Sequence, residues 1–391
     1  MSQTWPEISY VERSWPPVGS TVDPMWSQRR RRANKGTYLQ AQVPDIASLP
    51  VLLSSGLTAD VQAATEDVIR FDAQYVSNAP FSAVLLRSES SASSQIEQLT
   101  ANARRISLAR LGDTSRLNAT LIAKNTLALE AALQLSHRLD LEAMLIMHET
   151  LLDDSNPLHA GRLREEIVWI GGDSPVTAHF VPPTQEDVAA SLEDLVVFMQ
   201  RNDVPALAQA AIAHAQFETI HPFTDGNGRT GRALVSALLK AKGVTKNFTV
   251  PISSGLLTDT AEYFNALTHY RAGHIAPIID IFVRATAATM GNAQKLQHDI
   301  DQLHNRILGT AQRVTKGFRA VAQLCITEPA FTAGMVEDLG VPISTVYKIL
   351  ARLVEHDILR VEHKIQGQLV WSVIGLTDIL DDFARRAGRR A

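Results

Sequence analysis

Apolar residues recur at three- and four-residue spacing over most of the chain, which predicts a mainly helical protein. Ala59–Val76, Leu117–Leu135 and Leu139–Leu152 carry this period, as do Val204–Ile220, Arg229–Lys242 and Thr260–Arg271. A longer run, Pro277 to about Leu308, is long enough to bridge two units. Thr184 with Asp187 reads as the cap of a helix ending at Met199. The serine-rich stretch Ser88–Ser94 precedes a periodic segment, Leu99–Leu108, and serines there read as its N-terminal cap. Two β-prone runs, Glu165–Ile170 and Thr177–Val181, flank Gly171, Gly172 and Pro175. They predict a hairpin that Pro182 and Pro183 stop. Residues 1–50 are rich in Pro, Trp and Ser and read as extended.

With 391 residues, the chain has room for two or three domains at ~150 residues each. The pattern divides it into an N-terminal helical region at 1–110, a core at 111–290, a linking helix at 291–310 and a separate unit at 311–391. A composition of 45% hydrophobic and 20% charged residues excludes a disordered chain or a coiled-coil rod. A net charge of −4 gives no overall basic field toward nucleic acid or anionic membrane. Cys325, the only cysteine, makes no internal disulfide and reads as a buried apolar residue. The polar start, Met1–Pro16, is unlike a signal peptide, and no apolar run is long enough to span a bilayer, so a cytoplasmic location is expected. Arg29–Arg32, the densest charge run, reads as a solvated face or a clamp on acidic side chains.

Candidate chemistry concentrates in His221-Pro-Phe-Thr-Asp225-Gly226-Asn227-Gly228-Arg229-Thr230-Gly231-Arg232. Two glycines let the backbone approach a ligand, and successive N–H groups in such a turn form an anion nest. The helix that follows offers unpaired N–H groups and a dipole that favours negative charge. Arg229 and Arg232 in its first turns oppose that dipole, which makes sense if they meet phosphates or a carboxylate. Asp225 is the hard oxygen that Mg²⁺ takes alongside phosphate oxygens, and His221 is a candidate general base. Together they describe a polyphosphate site with a proton acceptor.

The stretch resembles the signature of the Fic family, H-P-F-x-[D/E]-G-N-G-R-x-x-R, at every fixed position. Val168–Gly172 with Ala178–Pro183 is similar to the family's flap hairpin, Ala213–Glu218 to the helix before the motif, and Tyr263-Phe264 to the segment near the nucleotide's base. The resemblance covers roughly residues 40–290. It implies a Fic-type helical core at 111–290 with a small β-hairpin flap, and a protein adenylyltransferase that moves AMP from ATP to a Ser, Thr or Tyr hydroxyl of a target protein. His221 would take the hydroxyl proton. Asp225 would hold Mg²⁺, and Asp225, Gly226, Asn227, Gly228, Arg229, Thr230, Gly231 and Arg232 would bind ATP's phosphates, with Tyr263 by the base. The flap would pin the target's backbone by strand addition; from the residues alone a merely stabilising hairpin stays equally open.

Ser93-Ser-Gln-Ile-Glu97-Gln98 is similar to the family's inhibitory helix, [S/T]-x-x-x-E-[G/N], but has Gln98 in place of Gly or Asn. The resemblance implies that Glu97 pairs with Arg232 and takes the place that the γ-phosphate needs, with Ser93 beside it. His214, Glu218 and His221 share a helix face at a spacing that also suits zinc or iron. That reading leaves the glycine nest and Arg232 unexplained. Residues 331–371 read as helix, turn, helix and hairpin, and resemble a winged helix-turn-helix. Ser344, Thr345, Tyr347 and Lys348 are its candidate base readers and Lys364 its phosphate contact. DNA binding, protein docking and homo-oligomer formation are all open for it. Alternatives to protein adenylylation are another nucleotide or phosphodiester donor, removal of AMP, and a nucleotide-sensing, DNA-binding regulator.

Overall fold

A computed structural model describes residues 5–15, 34–74, 79–152 and 156–386, so Arg29–Arg32 lies outside the described residues. Two strands open it, β1 (Ser9–Trp15) and β2 (Gly36–Gln42), paired antiparallel with Ser9 opposite Gln42. Helices follow: α1 (Ser55–Gln74), α2 (Ala79–Ile96), α3 (Ala103–Arg110), α4 (Leu117–Gln134), α5 (Leu141–Leu152), α6 (Gln185–Gln200), α7 (Ala206–Ile220) and α8 (Asn227–Ala241). Then come α9 (Ile252–Leu256), α10 (Thr260–Arg271) and the 34-residue α11 (Ala276–Gly309). The C-terminal part holds α12 (Lys316–Thr327), β3 (Ala330–Thr332), α13 (Ala333–Glu337), α14 (Ile343–Glu355), β4 (Leu359–Val361), β5 (Val370–Val373) and α15 (Ile374–Arg386). Its sheet is antiparallel in the order β3-β5-β4.

α7 is buried on every side from Leu207 to Ile220 and forms the axis of the molecule. Alanines at 208, 210, 211, 213 and 215 let neighbouring helices approach closely around it. α8 packs antiparallel against it and is buried almost throughout. α11 carries a stripe at helical spacing, Ile278, Phe282, Ala285, Thr289, Ala293, Leu296, Ile300, Leu303 and Ile307. Its first half covers α7 and α10; its second half meets α12 and α15. One apolar cluster therefore runs from Trp5 to Phe383, and residues 311–386 are docked on the helical core through the helix expected to link them. Cys325 lies buried in α12.

Three local expectations change. Ser88–Ser94 belongs to the C-terminal half of α2 and caps nothing. Small side chains there let α4 come close, and their polar groups are satisfied across the contact. Ser90 Oγ meets Thr126 Oγ1 at 2.8 Å, and Asn125 Nδ2 donates to Ser90 O at 2.8 Å and Ser94 Oγ at 3.1 Å. Asn102 caps α3 instead, accepting from Arg105 N at 2.9 Å. The flap hairpin shrinks to one antiparallel bridge, Ile170–Phe180. Gly171 and Gly172 at φ +73° and +71° curl the chain, and Thr177 Oγ1 accepts from Asp173 N and Ser174 N at 3.0 and 3.2 Å, closing the turn on itself. Beyond Phe180 the flap pairs with β2, Ala41 N donating to Val181 O at 3.0 Å. In the C-terminal part Phe331 is in β3 rather than a helix, and Pro342 precedes α14 with no side-chain cap.

Candidate active site

α7 ends at His221, which takes the left-handed conformation (φ +49°, ψ 62°) and still bonds its N–H to Phe217 O at 2.9 Å. The chain turns there toward α8, whose N-cap is Gly226 at φ +80°. That left-handed conformation favours glycine, and a Cβ there would also lie 2.9 Å from Leu151 Cδ2. Asn227 fixes the loop from inside, accepting from Phe223 N at 2.9 Å and donating to Phe223 O at 2.8 Å. His148 fixes it from below. Its ring stacks on Phe223 with centroids 3.6 Å apart, its Nδ1 accepts from Gly161 N at 3.1 Å, and its Nε2 donates to Asp225 O at 3.0 Å. Arg164 ties down the His221 end, Nε donating to His221 O at 2.8 Å and Nη2 to Pro183 O at 2.7 Å.

The N-terminus of α8 opens into a cavity of about 1040 Å³ whose wall includes His221, Asp225, Gly228, Arg229 and Arg232. Arg229 is buried, with Nε and Nη1 lacking a partner among the described residues, and its Nη2 lies 3.4 Å from Asp225 Oδ1. Asp225, 63% exposed, also accepts from Gly226 N at 2.6 Å. Glu97 reaches in from the end of α2. Its Oε1 accepts from Arg232 Nη2 at 2.8 Å, and that oxygen would stand 2.0 Å from a Cβ built on Gly228. The missing side chain of Gly228 is thus the space the carboxylate fills, above the α8 N-terminus where an anion is favoured. Ser93 completes the grip: Arg232 Nε donates to Ser93 Oγ and Nη2 to Ser93 O, both at 2.9 Å. Burial opposes ionisation of Glu97, but the charge and hydrogen bond of Arg232 outweigh it and hold the carboxyl below its ordinary range.

Burial, then the charges of Arg271 and Arg164, push the His221 imidazole down to about 4, so it stands neutral at physiological pH, as a proton acceptor must. Glu218 is 3.9 Å from His221 Nδ1, and burial pushes its carboxyl up to about 7. His214 Nε2 and Tyr263 Oη are hydrogen-bonded at 2.7 Å. Among the described residues no three His, Cys, Asp or Glu side chains converge on a metal-sized site, so the helix-face triad His214, Glu218 and His221 does not assemble a zinc or iron centre.

Residues 138–239 match the profile of the Fic/DOC family. The chain carries a Fic domain. It is 28% identical over 152 residues to protein adenylyltransferase fic-1 of Caenorhabditis elegans, covering 39% of this chain and 28% of that one. It is 30% identical over 161 residues to protein adenylyltransferase Fic of Nematostella vectensis, covering 40% and 35%. The chain thus spans about a third of the length of the curated relatives it matches. A Fic family protein from Desulfovibrio desulfuricans G20 superposes on it with a TM-score of 0.54 and 19% identity, over 83% of this chain and 98% of that one, and shares its fold. Among the described residues no helix is long and apolar enough to cross a membrane.

Of the residues expected at the Fic site, the cavity brings together His221, Asp225, Gly226, Asn227, Gly228, Arg229, Arg232, Tyr263 and Glu97. Four expected residues take other positions or duties. Asn227 turns its amide onto the Phe223 backbone, with one bond from each of its polar atoms. Thr230 and Gly231 turn away from the cavity; a Cβ on Gly231 would crowd Phe217, Glu218 and His214 at 3.0–3.2 Å, so this glycine lets α8 lie close on α7. Tyr263 is 1% exposed and tied to His214, whereas its neighbour Phe264 is 51% exposed and free to stack. Sequence reasoning missed Arg164, His148 and Arg271, which lie far along the chain in no recognisable pattern. Arg271 lies with its guanidinium 3.7 Å above the Phe180 ring of the flap, and its Nε has no partner among the described residues.

Proposed function

We propose that this chain is a protein adenylyltransferase that carries its own brake, Glu97. The observation that supports it best is the coincidence on one cavity of a neutral histidine, the N-terminus of α8 and two buried arginines. ATP's phosphates would take the α8 N-terminus and Arg229, with the γ-phosphate at Arg232. His221 would accept the proton of a target hydroxyl as that oxygen bonds to the α-phosphorus; the bond to the bridging oxygen breaks and pyrophosphate leaves. Such transfer relies on positioning and electrostatics. Asp225 fits Mg²⁺, since it is an exposed hard oxygen beside the phosphate cradle with no further carboxylate needed; when bound, the ion would neutralise charge on the leaving phosphates.

The brake reading is supported by Glu97 filling the space over Gly228 and neutralising Arg232, the two features a γ-phosphate needs. Mass spectrometry of the intact chain after incubation with Mg-ATP tests both ideas. Glu97→Gly is expected to gain AMP, the native chain little, and Glu97→Gly combined with His221→Ala none. If the Glu97→Gly chain binds ATP yet modifies neither itself nor any protein in a cell lysate, adenylyl transfer is wrong. Labelling by another nucleotide would move the donor assignment instead.

A further inference from the structure

Glu97 sits in a six-residue connection, 97–102, whose two flanking helices are both held by the C-terminal part of the chain. At α2, Arg87 donates to Thr327 O and pairs with Glu328 at 2.7 Å. At α3, the first free N–H, that of Ala103, donates to Asp381 Oδ1 of α15 at 3.0 Å. Arg104 grips Glu362 with both arms of its guanidinium, Nε to Oε1 at 2.6 Å. Glu362 lies in the β4–β5 wing, is buried, and takes a third bond from Ser372 Oγ at 2.5 Å. Its neighbour His363 meets Asp113 at 3.2 Å, and the wing-tip side chain of Gln366 covers Gly112. A small apolar cluster closes the contact: Leu108 and Leu111 from α3 and its end, against Ala330, Ile365 and Val370.

We infer that this junction is a latch by which the β4–β5 wing sets the strength of the Glu97–Arg232 contact. The inference rests on the reading of Glu97 as a brake. α3 is only eight residues long, and its apolar partners on this side come from the wing and from Ala330 of β3. Loosening the wing therefore removes this side of its support and leaves α3 resting on α4, where Arg110 pairs with Glu130 at 3.1 Å. Glu97 is the first residue of the connection from Ile96 to Ala103, so a displacement of α3 is passed back along the chain toward Glu97. Arg232 stays behind, held in α8 on the buried axis of the molecule. The wing that in a helix-turn-helix unit faces a partner is here turned onto its own chain, so a partner that drew it away would release the site.

Two full-length variants test the latch. Glu362→Ala removes the clamp on Arg104, which is 37% exposed and can be solvated. Asp381→Ala removes the bond that α15 makes to Ala103 N. With thermal melts confirming that each folds, hydrogen–deuterium exchange should quicken at residues 97–110 in both. Labelling with Mg-ATP should rise roughly 5- to 150-fold over the native chain, the range of an ordinary coupling between sites. Combined with Glu97→Gly, neither should add further. Faster exchange confined to the wing, with 97–110 unchanged, overturns the latch. Faster exchange at 97–110 with labelling still at the native level, while Glu97→Gly labels strongly, overturns its control of the site. If Glu97→Gly does not label, the brake reading has failed separately, and the exchange data alone decide whether the wing holds α3.

Discussion

His221 occupies a left-handed conformation that costs a non-glycine residue about 1–3 kcal/mol, and its carbonyl is held there by Arg164. The strain lets the chain leave a fully buried helix and present an imidazole at the cavity wall. Two buried cations near that ring, Arg271 and Arg164, also set its protonation. Arg164 is committed to backbone carbonyls, which makes Arg271 the one that can be changed without undoing the loop. The active form is the neutral imidazole, so activity is lost as pH falls through the pKa of His221, which in the free protein is pushed down to about 4. In the Glu97→Gly background, kcat/KM should be flat from pH 8 down to about 6 with no break near the ordinary histidine value of about 6.5. Arg271→Met should move the break upward, toward neutrality, while Arg271→Lys, which keeps the charge, should restore the flat profile. A profile for Arg271→Met that merely drops in height would make Arg271 a packing partner of Phe180 and nothing more.

At the scale of elements, the end of α2 decides where Glu97 stands. Gln98 N donates to Gln95 O at 2.9 Å and Leu99 N to Ser94 O at 3.0 Å, with Gln98 at φ +62°. This is the Schellman termination, whose left-handed position glycine or asparagine fills most cheaply. The Gly or Asn that the resemblance expects there thus has a backbone reason, and Gln98 adopts the same shape at a cost. A left-handed non-glycine residue costs ~1–2 kcal/mol and glycine's extra chain entropy ~0.5–1 kcal/mol, so Gln98→Gly should stabilise the protein by about 0.5–1 kcal/mol. The check is a higher urea midpoint at unchanged slope. The same helix shows what a single sequence conceals. Long helices with an apolar stripe, such as α1, α4 and α10, were legible because one face is buried and the other wet. α2 was not, because its serines are buried against α4 and satisfied by Asn125 and Thr126, a contact that no local pattern records. The loop at 221–232 was legible because its residue types serve one ligand chemistry within twelve positions. Arg271 and His148 were not, because their roles arise only when distant helices meet.

For the whole molecule, the continuous core and its buried ionisable groups make stability depend on acid in a definable way. Burial pushes His148 and His221 down to about 4 and His214 to about 3. Below pH ~6.5 the unfolded chain takes up these three protons and the folded chain does not, so folding weakens as pH falls from 6.5 toward 4. Burial also pushes Glu89 and Glu218 up to about 7, with Glu89 held against Ser253 N at 2.8 Å. Their effect has the opposite sign: between pH 7 and the ordinary glutamate value the folded chain holds two protons that the unfolded chain lacks, which strengthens folding as pH falls. From these five groups the unfolded chain gains one net proton between pH 6.5 and ~4.5, a loss of about 1.4 kcal/mol per pH unit. Below that the two carboxyls no longer compensate and the loss steepens. Melting temperature should therefore change little from pH 7.5 to 6.5 and decline gently to about 4.5. Glu89→Gln removes one compensating proton while keeping an acceptor for Ser253. It should melt no lower than the native chain at pH 8 and distinctly lower at pH 5. Parallel melting curves for the two chains across that range would mean that Glu89 is already ionised in the folded protein.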